Sequence, residues 1–175
     1  MSIENFIDSL GAHAKDVKLN LSSILTEEGA SGLTQKQIYG TALAAAYATK
    51  AKSLIAAIIA DANLTEVEIE AAKGAACLMA MNNVYYRSLH LLNDPEYTKL
   101  PAQIRMNFMA NPGIARIDFE LFALAISAIN GCGMCIQAHV QTLEKHGLSK
   151  LAVQSTIRIA AVINAAAQAV ITATI

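Results

Sequence analysis

Residues 119–139 read FELFALAISAINGCGMCIQAH. Apolar side chains recur on every turn up to Ile129, Asn130 and Gly131 interrupt them, and the pattern resumes through Cys135, Ile136, His139 and Val140. This predicts two helices joined by a tight turn, the second lying antiparallel beside the first. At 1.5 Å per residue, Glu120 lies about 15 Å before Asn130 and His139 about 12 Å after Gly131, so the two side chains are expected nearly level.

The same helical periodicity extends in both directions. Alanine and leucine are abundant, runs of β-branched and aromatic residues are scarce, and the chain reads as all-α. Breaks are expected at Thr26–Gln35, Asn63–Glu68, Asn93–Gln103, Asn111–Arg116, Asn130–Gly133 and His146–Lys150. Thr65 followed by Glu68 is a capping-box pattern, and Gly147 stands where a helix would stop. A chain of 175 residues is enough for one well-cored domain, taken as residues 1–175. A faint internal repeat, roughly 20–90 and 104–175, suggests two similar helical halves packed on one another. In that alignment Tyr39, Ala51, Leu54 and Ile58 stand where the second copy has Glu120, Cys132, Cys135 and His139.

Composition narrows the function classes. With 54% hydrophobic and only 15% charged residues, the chain carries more apolar surface than one small globule readily hides, so a homo-oligomer is expected. Arg158, Asn164 and Gln168 interrupt the greasy run from Ile157 to Ile175, and no uninterrupted apolar stretch reaches the roughly 20 residues needed to span a bilayer. Glu4 and Asp8 in the first ten residues do not suit a secretory leader. The expectation is a cytoplasmic chain that is not membrane-bound. A net charge of −1 with scattered basic residues offers no footprint for nucleic acid.

Three cysteines are too few for a stapling framework, so the Cys132-x-x-Cys135 pair points to redox or metal chemistry. At 100° per residue Cys132, Cys135 and His139 share one face of one helix, within an arc of about 60°. The cysteines fall in its first turn, where free N–H groups and the helix dipole favour thiolate. Glu120 is an acid inside an apolar run, where an unpaired carboxylate is expensive. Together the four make a candidate proton relay, with Glu120 orienting the His139 imidazole and His139 taking the proton of Cys135. Two packed thiols remain the plain alternative, and two thiolates, an imidazole and a carboxylate also make a possible zinc set. Cys77 is expected to be a buried small apolar residue. Met79, Met81, Met106 and Met109 are expected in the core, and His13, His90 and His146 without an obvious partner.

Four stretches, KDVKLNLSSIL (Lys15 to Leu25), MNNVYYR (Met81 to Arg87), RMNFMANPGI (Arg105 to Ile114) and the opening stretch from Phe119, together resemble the alkyl hydroperoxide reductase D (AhpD) proteins of the carboxymuconolactone decarboxylase-like superfamily. The resemblance covers essentially the whole chain. It implies an all-helical subunit, commonly a trimer, with a redox-active disulfide between Cys132 and Cys135 and relay residues Glu120 and His139. It implies no tightly bound cofactor. Organic hydroperoxides would be reduced directly, and the partner peroxiredoxin, alkyl hydroperoxide reductase C, would be regenerated. Electrons would come from the lipoyl groups of dihydrolipoamide acyltransferase, recharged by lipoamide dehydrogenase and NADH. Some members carry a His inside the cysteine pair where this chain has Met134, which leaves more of the proton transfer to His139. On this reading Cys135 attacks the peroxide and Cys132 resolves it, although the first cysteine of such helices is often the more exposed and could meet a partner's disulfide first. The alternatives are a decarboxylating lyase of the same superfamily, which lacks the cysteine pair, and a non-enzymatic zinc or redox-sensing module.

Overall fold

The computed structural model describes residues 1–173 and is all-α, with no strand among the described residues. Thr174 and Ile175, the end of the second candidate half, lie outside the described residues. The helices are α1 (Ile3–Ser9), α2 (Lys15–Ile24), α3 (Gln35–Thr49), α4 (Lys52–Asp61), α5 (Glu66–Leu92), the short α6 (Pro95–Lys99) and α7 (Asn107–Ala110), α8 (Arg116–Ile129), α9 (Gly133–Lys145) and α10 (Lys150–Ala173).

α8 is the centre of the molecule. Every residue from Phe119 to Ser127 is buried, because α3, α5, α9 and α10 all pack around it. An apolar circumference of this kind belongs to a helix surrounded by others. α3 comes closest: a Cβ added at Gly40 would run into the ring of Phe122, and Gln37 Nε2 donates a hydrogen bond of 2.8 Å to Asp118 Oδ1.

Capping chemistry sets the long helices. Thr34 with Gln37 starts α3 and Thr65 with Glu68 starts α5, each as a complete capping box. α8 ends in a Schellman turn, in which Gly131 N–H donates to the Ala128 carbonyl and Cys132 N–H to the Ser127 carbonyl, with Gly131 left-handed at φ +65°. The next residue starts α9 at once: Cys132 is its N-cap, with Sγ accepting from the N–H of Cys135 at 3.4 Å. One residue therefore closes one helix through its backbone and opens the next through its side chain. A second Schellman turn, at Glu144 and Leu143 with Gly147 left-handed, ends α9 and leads into α10.

Two expectations need correction. Cys77 is exposed rather than buried. α5 turns Ala71, Ala72, Ala75, Leu78, Met79, Asn82 and Asn83 inward, and Cys77 lies off that stripe. Met81 is off it too, at 40% exposed, whereas Met79 is buried and Met106 and Met109 pack partly against the core. Arg158, Asn164 and Gln168 interrupt α10 as expected, and by length and mean hydropathy it is still long and apolar enough to cross a membrane. In this fold its inner face, including Ile159, Ala160 and Ile163, is buried, and the helix packs on α2, α3 and α8. Of the histidines expected to lack partners, His13 Nε2 lies 3.1 Å from Thr172 Oγ1, and His146 Nδ1 donates to the Thr142 carbonyl at 2.8 Å.

Candidate active site

The chemistry-bearing side chains meet where α8 and α9 run side by side. Glu120 is in the first turns of α8 and His139 in the middle of α9, and Glu120 Oε2 stands 2.7 Å from His139 Nδ1. Both are nearly sealed from solvent, Glu120 at 4% and His139 at 6% exposed. A carboxylate accepts only, so Nδ1 carries the proton and Nε2 is the nitrogen left for proton exchange. The arrangement satisfies a buried acid that would otherwise be costly. Arg116, one turn earlier on α8, adds a cation 3.7 Å from Glu120 Oε1, beyond hydrogen-bonding reach and on an exposed side chain.

Cys132 and Cys135 are joined as a disulfide with their Cα atoms 5.3 Å apart, the oxidised form of the pair. Their surroundings differ. Cys132 is completely buried beneath the α8–α9 turn, whereas Cys135 retains 7% exposure and faces a cleft. That cleft, about 330 Å³, is lined by Cys135, Glu120 and His139 together, and Met134 stands at it with 36% of its surface exposed. The structure thus brings Glu120, His139 and Cys135 to one cavity and sets Cys132 behind it. Met134 offers a thioether, and His139 is the cavity's sole imidazole among the described residues.

The turn carrying the cysteines is held from α5. Asn130 Nδ2 donates to Asn83 Oδ1 at 3.0 Å, Asn83 Nδ2 donates to Ser127 Oγ at 2.9 Å, and Arg87 donates to the Asn130 carbonyl at 2.6 Å. Neither Asn83 nor Ser127 stood out in the sequence. Two adjacent asparagines following the apolar run Ala75–Met81, read with the logic applied to Glu120, were the available signal.

A larger groove of about 600 Å³ lies beside Lys73, Cys77 and Arg87 and reaches Asn130. It contains neither Glu120, His139 nor the disulfide. The smaller cleft is the candidate site because it gathers the reactive groups. Among the described residues no three of His, Cys, Asp and Glu are grouped as a metal-binding set.

The arrangement suits dithiol–disulfide chemistry with proton transfer. The profile of the carboxymuconolactone decarboxylase family matches residues 95–174, which include Glu120, Cys132, Cys135 and His139. An alkyl hydroperoxide reductase AhpD of Coxiella burnetii is 54% identical over 168 residues, 95% of each chain. A protein of the same name from Maricaulis maris is 49% identical, over 95% of this chain and 96% of its own. Another, from a Bradyrhizobium species, is 47% identical over 97% of this chain and 93% of its own.

Proposed function

The chain belongs to the AhpD family, within the carboxymuconolactone decarboxylase group, and from that premise we propose that it is an antioxidant alkyl hydroperoxide reductase working through Cys132 and Cys135. The observation that carries this reading is the shared cleft, in which a disulfide sulfur opens onto the same cavity as a buried carboxylate–imidazole pair.

In the reduced enzyme His139 takes the thiol proton of Cys135. The thiolate attacks the terminal oxygen of R–O–O–H, the O–O bond breaks, Cys135 becomes a sulfenic acid, and the leaving alkoxide takes the proton from His139 to depart as ROH. The thiol of Cys132 then attacks the Cys135 sulfur; its proton and the sulfenic hydroxyl leave as water, and the disulfide forms. Two thiols of a dihydrolipoyl group reduce that disulfide by exchange and become the cyclic lipoyl disulfide. The same dithiol pair would reduce the disulfide of a partner peroxiredoxin, alkyl hydroperoxide reductase C. Burial of Cys132 and access to Cys135 support Cys135 as the attacking thiol.

Lipoyl groups carried by dihydrolipoamide acyltransferase would be the electron source, and the cytoplasm, which keeps thiols reduced, the setting. Exposed apolar residues along α5, Met81, Val84, Leu91 and Leu92, support a homo-oligomer, for which the family resemblance implies a trimer. The test is a coupled assay with lipoamide, lipoamide dehydrogenase and NADH, run on cumene hydroperoxide with and without the peroxiredoxin. NADH consumption that needs both cysteines supports the reading. Consumption in neither arm, or turnover surviving replacement of both cysteines, rejects it.

A further inference from the structure

The two asparagines at the middle of α5 have opposite fates. Asn83 is bonded at both ends of its carboxamide, to Ser127 and to Asn130. Asn82 is equally buried, at 3% exposed, yet its Oδ1 has no partner, and its Nδ2 meets only the thioether of Met106 at 3.2 Å. A thioether is a weak acceptor, so both ends of this amide are underused. Buried amides left this way are costly and uncommon. Among the described residues one other buried side-chain oxygen is in this position, Thr41 Oγ1, and Thr41 is sealed in the core. Asn82 instead lines the cleft that holds Cys135 and His139.

Much of the rest of the cleft wall is soft and apolar, with Tyr86, Arg116 and Thr142 also lining it. Met79, Met106, Met109 and Met134 all face it, and polarisable, unbranched thioethers adapt to irregular apolar shapes. A few convergent polar groups within an apolar cavity are what a small-molecule site presents.

We propose that Asn82 is a positioning residue for the organic hydroperoxide in this cleft, its carboxamide holding the hydroperoxy group while the four methionines hold the apolar part. The inference rests on the peroxide-reducing function proposed above. A hydroperoxide matches the unpartnered Oδ1 and the weakly engaged Nδ2: its O–H donates to Oδ1, and its oxygens accept from Nδ2 in place of the Met106 thioether. A dithiol matches less well, because S–H is a weak donor and sulfur a weak acceptor. Hydrogen peroxide satisfies the amide but leaves the thioether walls unfilled. Asn82 is therefore assigned to the hydroperoxide rather than to the lipoyl donor, and to apolar hydroperoxides above hydrogen peroxide.

The test is Asn82→Leu, close in shape and without either polar end. Its thermal midpoint is expected at or above that of the wild type, since it removes a buried oxygen that has no partner. The KM for cumene hydroperoxide should rise about tenfold with kcat little changed, the pattern of a lost ground-state hydrogen bond. A second readout uses no turnover: cumyl alcohol, titrated into the oxidised wild-type protein, should shift the Asn82 side-chain amide resonances in a 15N spectrum. An unchanged KM, unmoved amide resonances, or a midpoint several degrees lower would each overturn the assignment, the last by making Asn82 an ordinary packing residue. A wild-type protein that consumes no hydroperoxide would instead reject the underlying function, so the two failures are distinguishable.

Discussion

Glu120 Oε2 and His139 Nδ1 are 2.7 Å apart, one on α8 and the other on α9, nineteen positions apart in sequence and both cut off from solvent. The contact fixes the imidazole tautomer, and Cys135 stands one helical turn before His139 on the same face, so Nε2 is the nitrogen available to the thiol. Substitution at either end of this pair should therefore damage the same step. Glu120→Gln and His139→Gln should each lower kcat/KM for alkyl hydroperoxides by about 100-fold or more. The double variant should be little worse than the single ones, because the residues act as a unit. Steady-state kinetics on the three proteins checks this, and additive losses would mean that the pair is not coupled.

The turn presenting the cysteines depends on Asn83. Asn83→Ala strands the Ser127 hydroxyl and the Asn130 amide, with an expected loss of about 1–3 kcal/mol in urea unfolding. Because Asn130 precedes the pair, hydroperoxide turnover should also fall. Unchanged stability would show that water satisfies these groups equally well.

Gly131 is left-handed with open space around it, so a side chain there meets no neighbour and the cost is conformational alone. Gly131→Ala should lose about 1–2 kcal/mol, and Gly131→Asn less, since Asn tolerates this region better. Equal losses in the two variants would point to a steric cause.

Acid should weaken the start of α5. The Lys36 ammonium, hydrogen-bonded to Glu68, and the Thr65 N–H together hold the Glu68 carboxyl below its ordinary value of 4.5. A carboxyl depressed in the folded state stabilises the protein above its unfolded value, and that contribution fades as pH falls through the folded value. Glu68 is close to solvent, so the effect is modest: Glu68→Ala should cost about 0.5–1 kcal/mol near neutral pH, and less as the pH drops below about 4. Chemical denaturation across this range checks the sign, and a cost that grew on acidification would contradict it.

Much of this architecture was legible because helical periodicity and caps are local. The Thr65–Glu68 box, the break at Asn130–Gly131 and the stop at Gly147 occur at the expected places. Glu120 and His139 were legible as neighbours because a tight turn makes rise per residue into a distance rule. Packing around long helices was less legible. On α5 the inward stripe includes Met79 and excludes Met81 and Cys77, and which residues of its apolar run Ala75–Met81 turn inward depends on the helices around it. α10 passes as a membrane span by length and composition, and its packing on α2, α3 and α8 along one face is visible only in the fold. Asn82 and Asn83 are adjacent and chemically identical, so their different roles emerge only from what lies opposite each.

The most direct measurement concerns which sulfur meets the peroxide. Cys132→Ser and Cys135→Ser, each reduced, treated with one equivalent of cumene hydroperoxide and trapped with dimedone, can be read by peptide mass spectrometry. The account predicts a sulfenic adduct on Cys135 in the Cys132→Ser protein, and little or none on Cys132 in the Cys135→Ser protein. An adduct on Cys132, with Cys135 left unmodified, would contradict it.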